Sequence, residues 1–144
     1  GQVGLLRPGG VGQGTEQSEG EPQYARQRLD PDEERELVSS LLRHMEQERP
    51  YLDPELTIHD LAGQLSLPAA RITMVLSLHL KKNFYQFVNN YRVEHACELL
   101  QDENRDSETI LGIAMDSGFN SKTSFNSYFK RLKSMTPREF RNKT

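Results

Sequence analysis

The chain has 144 residues, 35% of them hydrophobic and 27% charged, a formal net charge of −3 and a single cysteine. That length suits one domain with a modest core, and a lone cysteine excludes an internal disulfide. No segment approaches the ~18 uninterrupted apolar residues of a membrane-spanning helix.

Residues 1–28 are predicted to stay outside the domain. Seven of the ten glycines sit there, at positions 1, 4, 9, 10, 12, 14 and 20, among Gln, Glu and Ser with few apolar residues. Such a composition cannot bury enough surface to offset the entropy of ordering it. The segment reads as a disordered linker or an expression remnant, and it lacks the basic stretch and apolar core of a secretory signal.

Residues 29–144 are expected to form an all-α domain. Asp30 can cap a first helix, Pro31 fits its first position, and Asp32, Glu33 and Glu34 favour the positive end of its dipole. Leu37, Val38, Leu41, Leu42 and Met45 then make one apolar face, and Pro50 ends the helix by denying it a donor. Thr57 and Asp60 make a weak capping box for the next helix, where Glu or Gln would be the better partner of Thr57. From Asn83 to Leu100, the residues Phe84, Phe87, Val88, Tyr91, Val93, Ala96, Leu99 and Leu100 are spaced for a long amphipathic helix, expected to serve as a spacer.

The stretch Thr109 to Phe140 predicts a helix, a tight turn at Gly118 and a second helix that Asn120 or Ser121 can cap. Phe125, Phe129 and Leu132 fall at i, i+4 and i+7 and are expected to share one buried stripe. Lys122, Thr123, Asn126, Ser127 and Lys130 lie on the other side.

This unit occurs twice. A shift of 52 positions pairs Thr57 with Thr109, Ile58 with Ile110, and Leu61-Ala62 with Ile113-Ala114. After one extra residue in the later copy, Ile72 pairs with Phe125 and Leu76 with Phe129. Repeats of supersecondary size are rarely accidental. The first motif is placed at about 57–79, the linker helix at about 83–100 and the second motif at about 109–132.

Charge is unevenly spread. Residues 29–56 hold three positive and nine negative side chains, whereas 57–144 hold twelve positive and nine negative. Both motifs together are therefore only mildly basic, which permits binding to a polyanion without demanding it. Cys97 is expected to be a buried small side chain. His44, His59, His79 and His95 stand isolated, with no metal-ligand spacing.

With the repeat in view, the chain resembles the DNA-binding domain of AraC/XylS-type transcription regulators, in which a linker helix joins two helix-turn-helix motifs. The resemblance covers roughly Pro50 to Arg141. Its most specific parts are Lys82-Asn83-Phe84-Tyr85-Gln86-Phe87, Tyr91-Arg92-Val93, and Gly118 through Arg131 with Met135-Thr136-Pro137. It implies that the second helix of each motif enters a major groove of double-stranded DNA. Carried over position by position, the base-facing residues are Ala70, Thr73 and Met74 in the first motif and Lys122, Thr123, Asn126 and Ser127 in the second. Arg71 is a candidate base or phosphate contact beside them. Lys122 can donate to guanine and Asn126 can pair with adenine, whereas Ala70 and Met74 offer no donor or acceptor, so direct readout is expected mainly from the second motif. Ser121, Lys130, Arg131, Arg138 and Arg141, together with Lys133, read as phosphate contacts.

The sequence departs from the resembled pattern in three places. Ser134 and Lys81 stand where turn glycines are frequent, and Pro68 occupies a cap position without a capping side chain.

The resemblance further implies an upstream sensory or dimerisation domain, pairing of two copies through that region, RNA polymerase as a protein partner, and a cytoplasmic location. The helix at 30–49 and Tyr51-Leu52-Asp53-Pro54 also resemble the end of regulators whose upstream half is membrane-embedded, which would tether the domain to the inner membrane. Nothing before Asp30 is expected to form a sensory domain, so the chain reads as a fragment or as a stand-alone reader with a disordered arm. No nucleophile elbow, paired-carboxylate setting or phosphate loop is present, and neither an enzyme nor a cofactor is expected. The competing reading is a helical protein-interaction module with degenerate DNA binding, docking through the acidic first helix.

Overall fold

A computed structural model describes residues 27–143, and the regular structure among them is entirely helical. Helix α1 spans Pro31–Glu48. Asp30 accepts a hydrogen bond from the Glu33 amide at 2.9 Å, and the Glu33 carboxylate accepts from the Asp30 amide, closing a capping box. The chain leaves α1 through Arg49 in the left-handed region and enters a 3₁₀ turn at Pro50–Leu52.

Helix α2 (Ile58–Leu65) starts at the Thr57–Asp60 box, both halves of which form. Helix α3 (Ala69–Val75) follows from Pro68, which makes no side-chain cap, and runs into a wide turn of π-helix at Leu76–Leu80. Helix α4 (Phe84–Gln101) opens on an Asn83–Gln86 box. After a 3₁₀ turn at Glu103–Arg105 come α5 (Ile110–Asp116), α6 (Lys122–Lys133) and α7 (Pro137–Lys143). Ser121 caps α6 by accepting from the Ser124 amide at 3.1 Å.

Apolar residues gather in two cores. Leu37, Leu41 and Met45 of α1 join Leu61 of α2, Ile72, Met74 and Val75 of α3, Leu76, and Phe87 and Val88 from the start of α4. The second core takes Val93, Ala96, Cys97 and Leu100 from the rest of α4, Ile113 and Ala114 of α5, Phe119, and Phe125 and Phe129 of α6. At 3.6 residues per turn, the residues α4 gives to one core lie on roughly the opposite side from those it gives to the other. The helix expected as an amphipathic spacer is therefore a shared wall with two apolar faces.

Between the cores, buried Arg92 of α4 donates through its guanidinium to the carbonyls of Tyr51 at 2.7 Å and Asp53 at 2.9 Å, and to Asn89 Oδ1 at 2.8 Å. Gly118 in the turn of the second motif presses on the same place. A Cβ added there would lie 2.2 Å from the Tyr51 carbonyl oxygen.

Leu132 leaves the buried stripe: it is 39% exposed and does not join the core that buries Phe125 and Phe129. Lys81 and Ser134, at the positions where turn glycines are frequent, adopt the left-handed conformation at φ 58° and 62°. Arg28, placed in the segment outside the domain, donates through Nε to Glu34 at 2.6 Å; residues 1–26 lie outside the described part. His79 Nε2 lies 2.9 Å from the other Glu34 oxygen. Among the described residues no single helix is long and apolar enough to cross a membrane.

Candidate nucleic-acid interface

Helix α6 carries the clearest outward polar face. Phe125 and Phe129 are fully buried on its inner side, and Lys122, Asn126 and Lys130, at i, i+4 and i+8, form a stripe along the flank of that buried face, with Thr123 and Ser127 farther round toward the opposite side. Lys122, Thr123, Ser127 and Lys130 are exposed and Asn126 is half-buried. The stripe faces a groove of about 640 Å³ whose other walls are Thr109, Ile110 and Leu111 at the start of α5 and Thr136, Pro137, Arg138 and Arg141 of α7. Five of the residues singled out in the sequence, Lys122, Asn126, Lys130, Arg138 and Arg141, thus meet around one concave surface.

Local chemistry explains why these helices stop and start there. The Thr109 hydroxyl accepts from the Gly112 amide at 2.9 Å and fixes the start of α5. Thr136 and Glu139 cap α7 reciprocally at 2.8 and 3.1 Å. The Thr136 amide, bonding the Glu139 carboxylate, holds that carboxyl below its ordinary range, so the acid is spent on the cap.

The expected phosphate contacts divide. Arg138 is exposed beside the groove. Arg141, half-buried, donates to the Arg105 carbonyl at 3.2 Å and so ties α7 to the loop after α4 while still lining the groove. Arg131 lies over the Tyr128 ring at 5.2 Å, on the flank of α6. Lys133 reaches to Glu94 of α4 at 2.8 Å.

The first motif presents less. Ala70 and Thr73 are exposed and Arg71 is half-buried. Met74 is a correction: its side chain is completely buried, so it cannot touch a base. Helix α1 packs against α3, and Met74 enters the core that also holds Leu37, Leu41 and Met45. The analogy with exposed Ser127 fails because α1 supplies this motif with an extra layer.

Two groups of consequence were missed. Glu34 sits on the same helical stripe as Leu37, Leu41 and Met45, and that periodicity was the signal that it would be buried. The guanidinium of Arg28, then the imidazole of His79, hold its carboxyl well below the ordinary range, at about 2. Arg92 lies in Tyr91-Arg92-Val93, but nothing local to α4 announces carbonyl partners about 40 residues upstream.

A family model described as a helix-turn-helix domain matches residues 61–143. The melibiose operon regulatory protein of Escherichia coli K12 is 30% identical over 89 residues, which is 62% of this chain and 28% of that protein. An uncharacterised HTH-type transcriptional regulator of Staphylococcus aureus is 30% identical over 87 residues, 60% of this chain and 11% of its own length. The chain thus spans under a third of these relatives. Among solved structures, a Chromobacterium violaceum regulator described as containing an AraC-type DNA-binding domain superposes with a TM-score of 0.62 at 22% identity, covering 74% of this chain and 93% of that one. The C-terminal domain of the response regulator AraT from Geobacillus stearothermophilus gives 0.58 at 23% identity, covering 81% and 88%. At these identities the two structures show a shared fold.

Proposed function

The chain belongs to the AraC-type helix-turn-helix family of DNA-binding transcription regulators, and from that premise we propose that it reads two successive major grooves of one duplex, with most direct base readout from α6. The observation that carries this reading is the stripe Lys122, Asn126, Lys130 opening on a groove flanked by Arg138. A lysine and an asparagine on a helix held from behind by two buried phenylalanines have the donors and acceptors that base edges require. Burial of Met74 leaves α3 with Ala70, Arg71 and Thr73, which supports unequal roles for the two readers.

The test uses a duplex selected from a random pool and a scrambled control. Asn126→Ala is expected to lose about 1 to 3 kcal/mol on the selected duplex and little on the control. Arg138→Ala is expected to weaken both and to reduce the salt slope by about one unit. Equal losses of Asn126→Ala on both duplexes would overturn direct readout. A protein-docking module would show neither a sequence preference nor a salt slope.

The regulator is read as the output part of a longer protein, activating transcription in the cytoplasm with an upstream sensory region, a second copy and RNA polymerase as partners. In support, the chain matches 28% of the melibiose regulator, and a similar structure is described as the C-terminal domain of a response regulator. Footprinting with the full-length gene product checks the pairing: two copies protect twice the length of DNA that this domain does.

A further inference from the structure

The internal repeat continues beyond the two motifs. A shift of 53 positions places Lys81 on Ser134, Asn83 on Thr136, Tyr85 on Arg138, Gln86 on Glu139 and Phe87 on Phe140. The geometry repeats with it. Lys81 and Ser134 are both left-handed, at φ 58° and 62°. Asn83 and Gln86 cap α4 reciprocally at 2.8 and 2.9 Å, as Thr136 and Glu139 cap α7. Phe87 joins the core behind α3, and Phe140 packs on Phe129 behind α6 with ring centroids 5.5 Å apart. Helices α4 and α7 therefore start in the same way, each following its own reader.

In the second motif Thr109, Asn126, Lys130 and Arg138 line the groove. The same shifts give Thr57, Thr73, Ser77 and Tyr85 around α3, with no cation among them. Tyr85 is 68% exposed, the highest value among the exposed large hydrophobic side chains. Its recorded ring contact is the edge of neighbouring Phe84 at 5.6 Å, so the fold itself makes little use of it.

We propose that Tyr85 is the DNA-backbone contact of the first motif. It holds the place beside α3 that Arg138 holds beside α6, with its ring against deoxyribose and its hydroxyl donating to a phosphate that flanks the first groove. Tyrosine is among the side chains that bind phosphate and sugar, and such contacts set register on the duplex. Being neutral, this contact releases no counterion, which separates it from the contact at Arg138. The proposal rests on the two-groove reading above.

The experiment titrates the full chain against the selected duplex and against the same duplex cut to the half read by the second motif. Tyr85→Phe is expected to lose about fivefold on the full duplex, the net worth of one hydrogen bond, and Tyr85→Ala about tenfold or more, both with unchanged salt slope. Tyr85→Arg is expected to recover the affinity and steepen the slope by about one unit, and all variants should bind the half duplex like wild type. Wild-type affinity of both Tyr85→Phe and Tyr85→Ala on the full duplex, equal losses on the half duplex, or an unchanged slope for Tyr85→Arg would each overturn it. Because the ring is exposed, melting temperatures should coincide; Tyr85→Phe keeps the ring and carries the test if truncation disturbs the start of α4. A wild-type chain that fails to distinguish selected from scrambled duplex would instead overturn the function proposed above.

Discussion

Single residues hold disproportionate leverage where backbone meets backbone. Gly118 has φ 98°, and an added Cβ would meet the Tyr51 carbonyl at 2.2 Å and Arg92 Nε at 2.9 Å. Neither the carbonyl nor the buried guanidinium can retreat cheaply, because each is the other's partner. Gly118→Ala is therefore expected to cost about 3 kcal/mol or more, combining left-handed strain with a clash; chemical denaturation measures it, and a loss under about 1 kcal/mol would show that the turn can shift. On α6 the contrast is between residues three apart. Phe129→Ala should lose about 3 to 5 kcal/mol, whereas Leu132→Ala, 39% exposed, should lose less than about 1 kcal/mol. Similar losses at both positions would mean that Leu132 is covered in solution.

Among the elements, α1 is bound to the first reader by more than apolar packing. Glu34 sits near its start, and His79 belongs to the turn that ends the α3 segment, so their contact at 2.9 Å joins the two, with Arg28 completing the cluster at 2.6 Å. The pH dependence follows from the depressed carboxyl. Its stabilisation is complete above the ordinary value of 4.5, where the unfolded chain is also ionised, and is lost as pH falls toward about 2, where the folded carboxyl takes up its proton. The melting-temperature gap between wild type and Glu34→Gln should accordingly be constant from pH 7 to about 5 and should close below that. A gap that persists at pH 2 would assign the effect to packing. The same contacts bury Glu34 without leaving its charge unpaired, which is the condition for a buried carboxylate to be tolerated.

For the whole molecule, the decisive property is the fixed relation of two readers. Helix α4 gives opposite sides to the two cores, and Arg92 fastens it to the turn at Pro50–Leu52, against which Gly118 also rests. A shared wall of this kind cannot swing without opening a core. Successive major grooves on one face of DNA lie about 34 Å apart, so inserting about five base pairs between the half-sites rotates one away by half a turn. Affinity is expected to fall to that of a duplex carrying the second half-site alone, measured by competition at fixed salt. Unchanged affinity would mean that the motifs move independently.

The sequence by itself determined the long helices and the starts of several of them. Capping residues at Asp30, Thr57 and Ser121, the repeat, and the stripe of Phe125 and Phe129 are local or periodic signals, and local signals survive folding. The polar face of α6 was legible for the same reason, since burying one side of a helix fixes the other. What covers a side chain was not legible. Whether Met74 faces DNA or the core depends on α1, whether Leu132 is buried depends on what packs beneath the end of α6, and His79 beside Glu34 and the Tyr51 and Asp53 carbonyls at Arg92 come from segments 39 to 45 residues away. Helical periodicity gives a direction for each side chain, but only the packing of distant elements decides what stands in that direction.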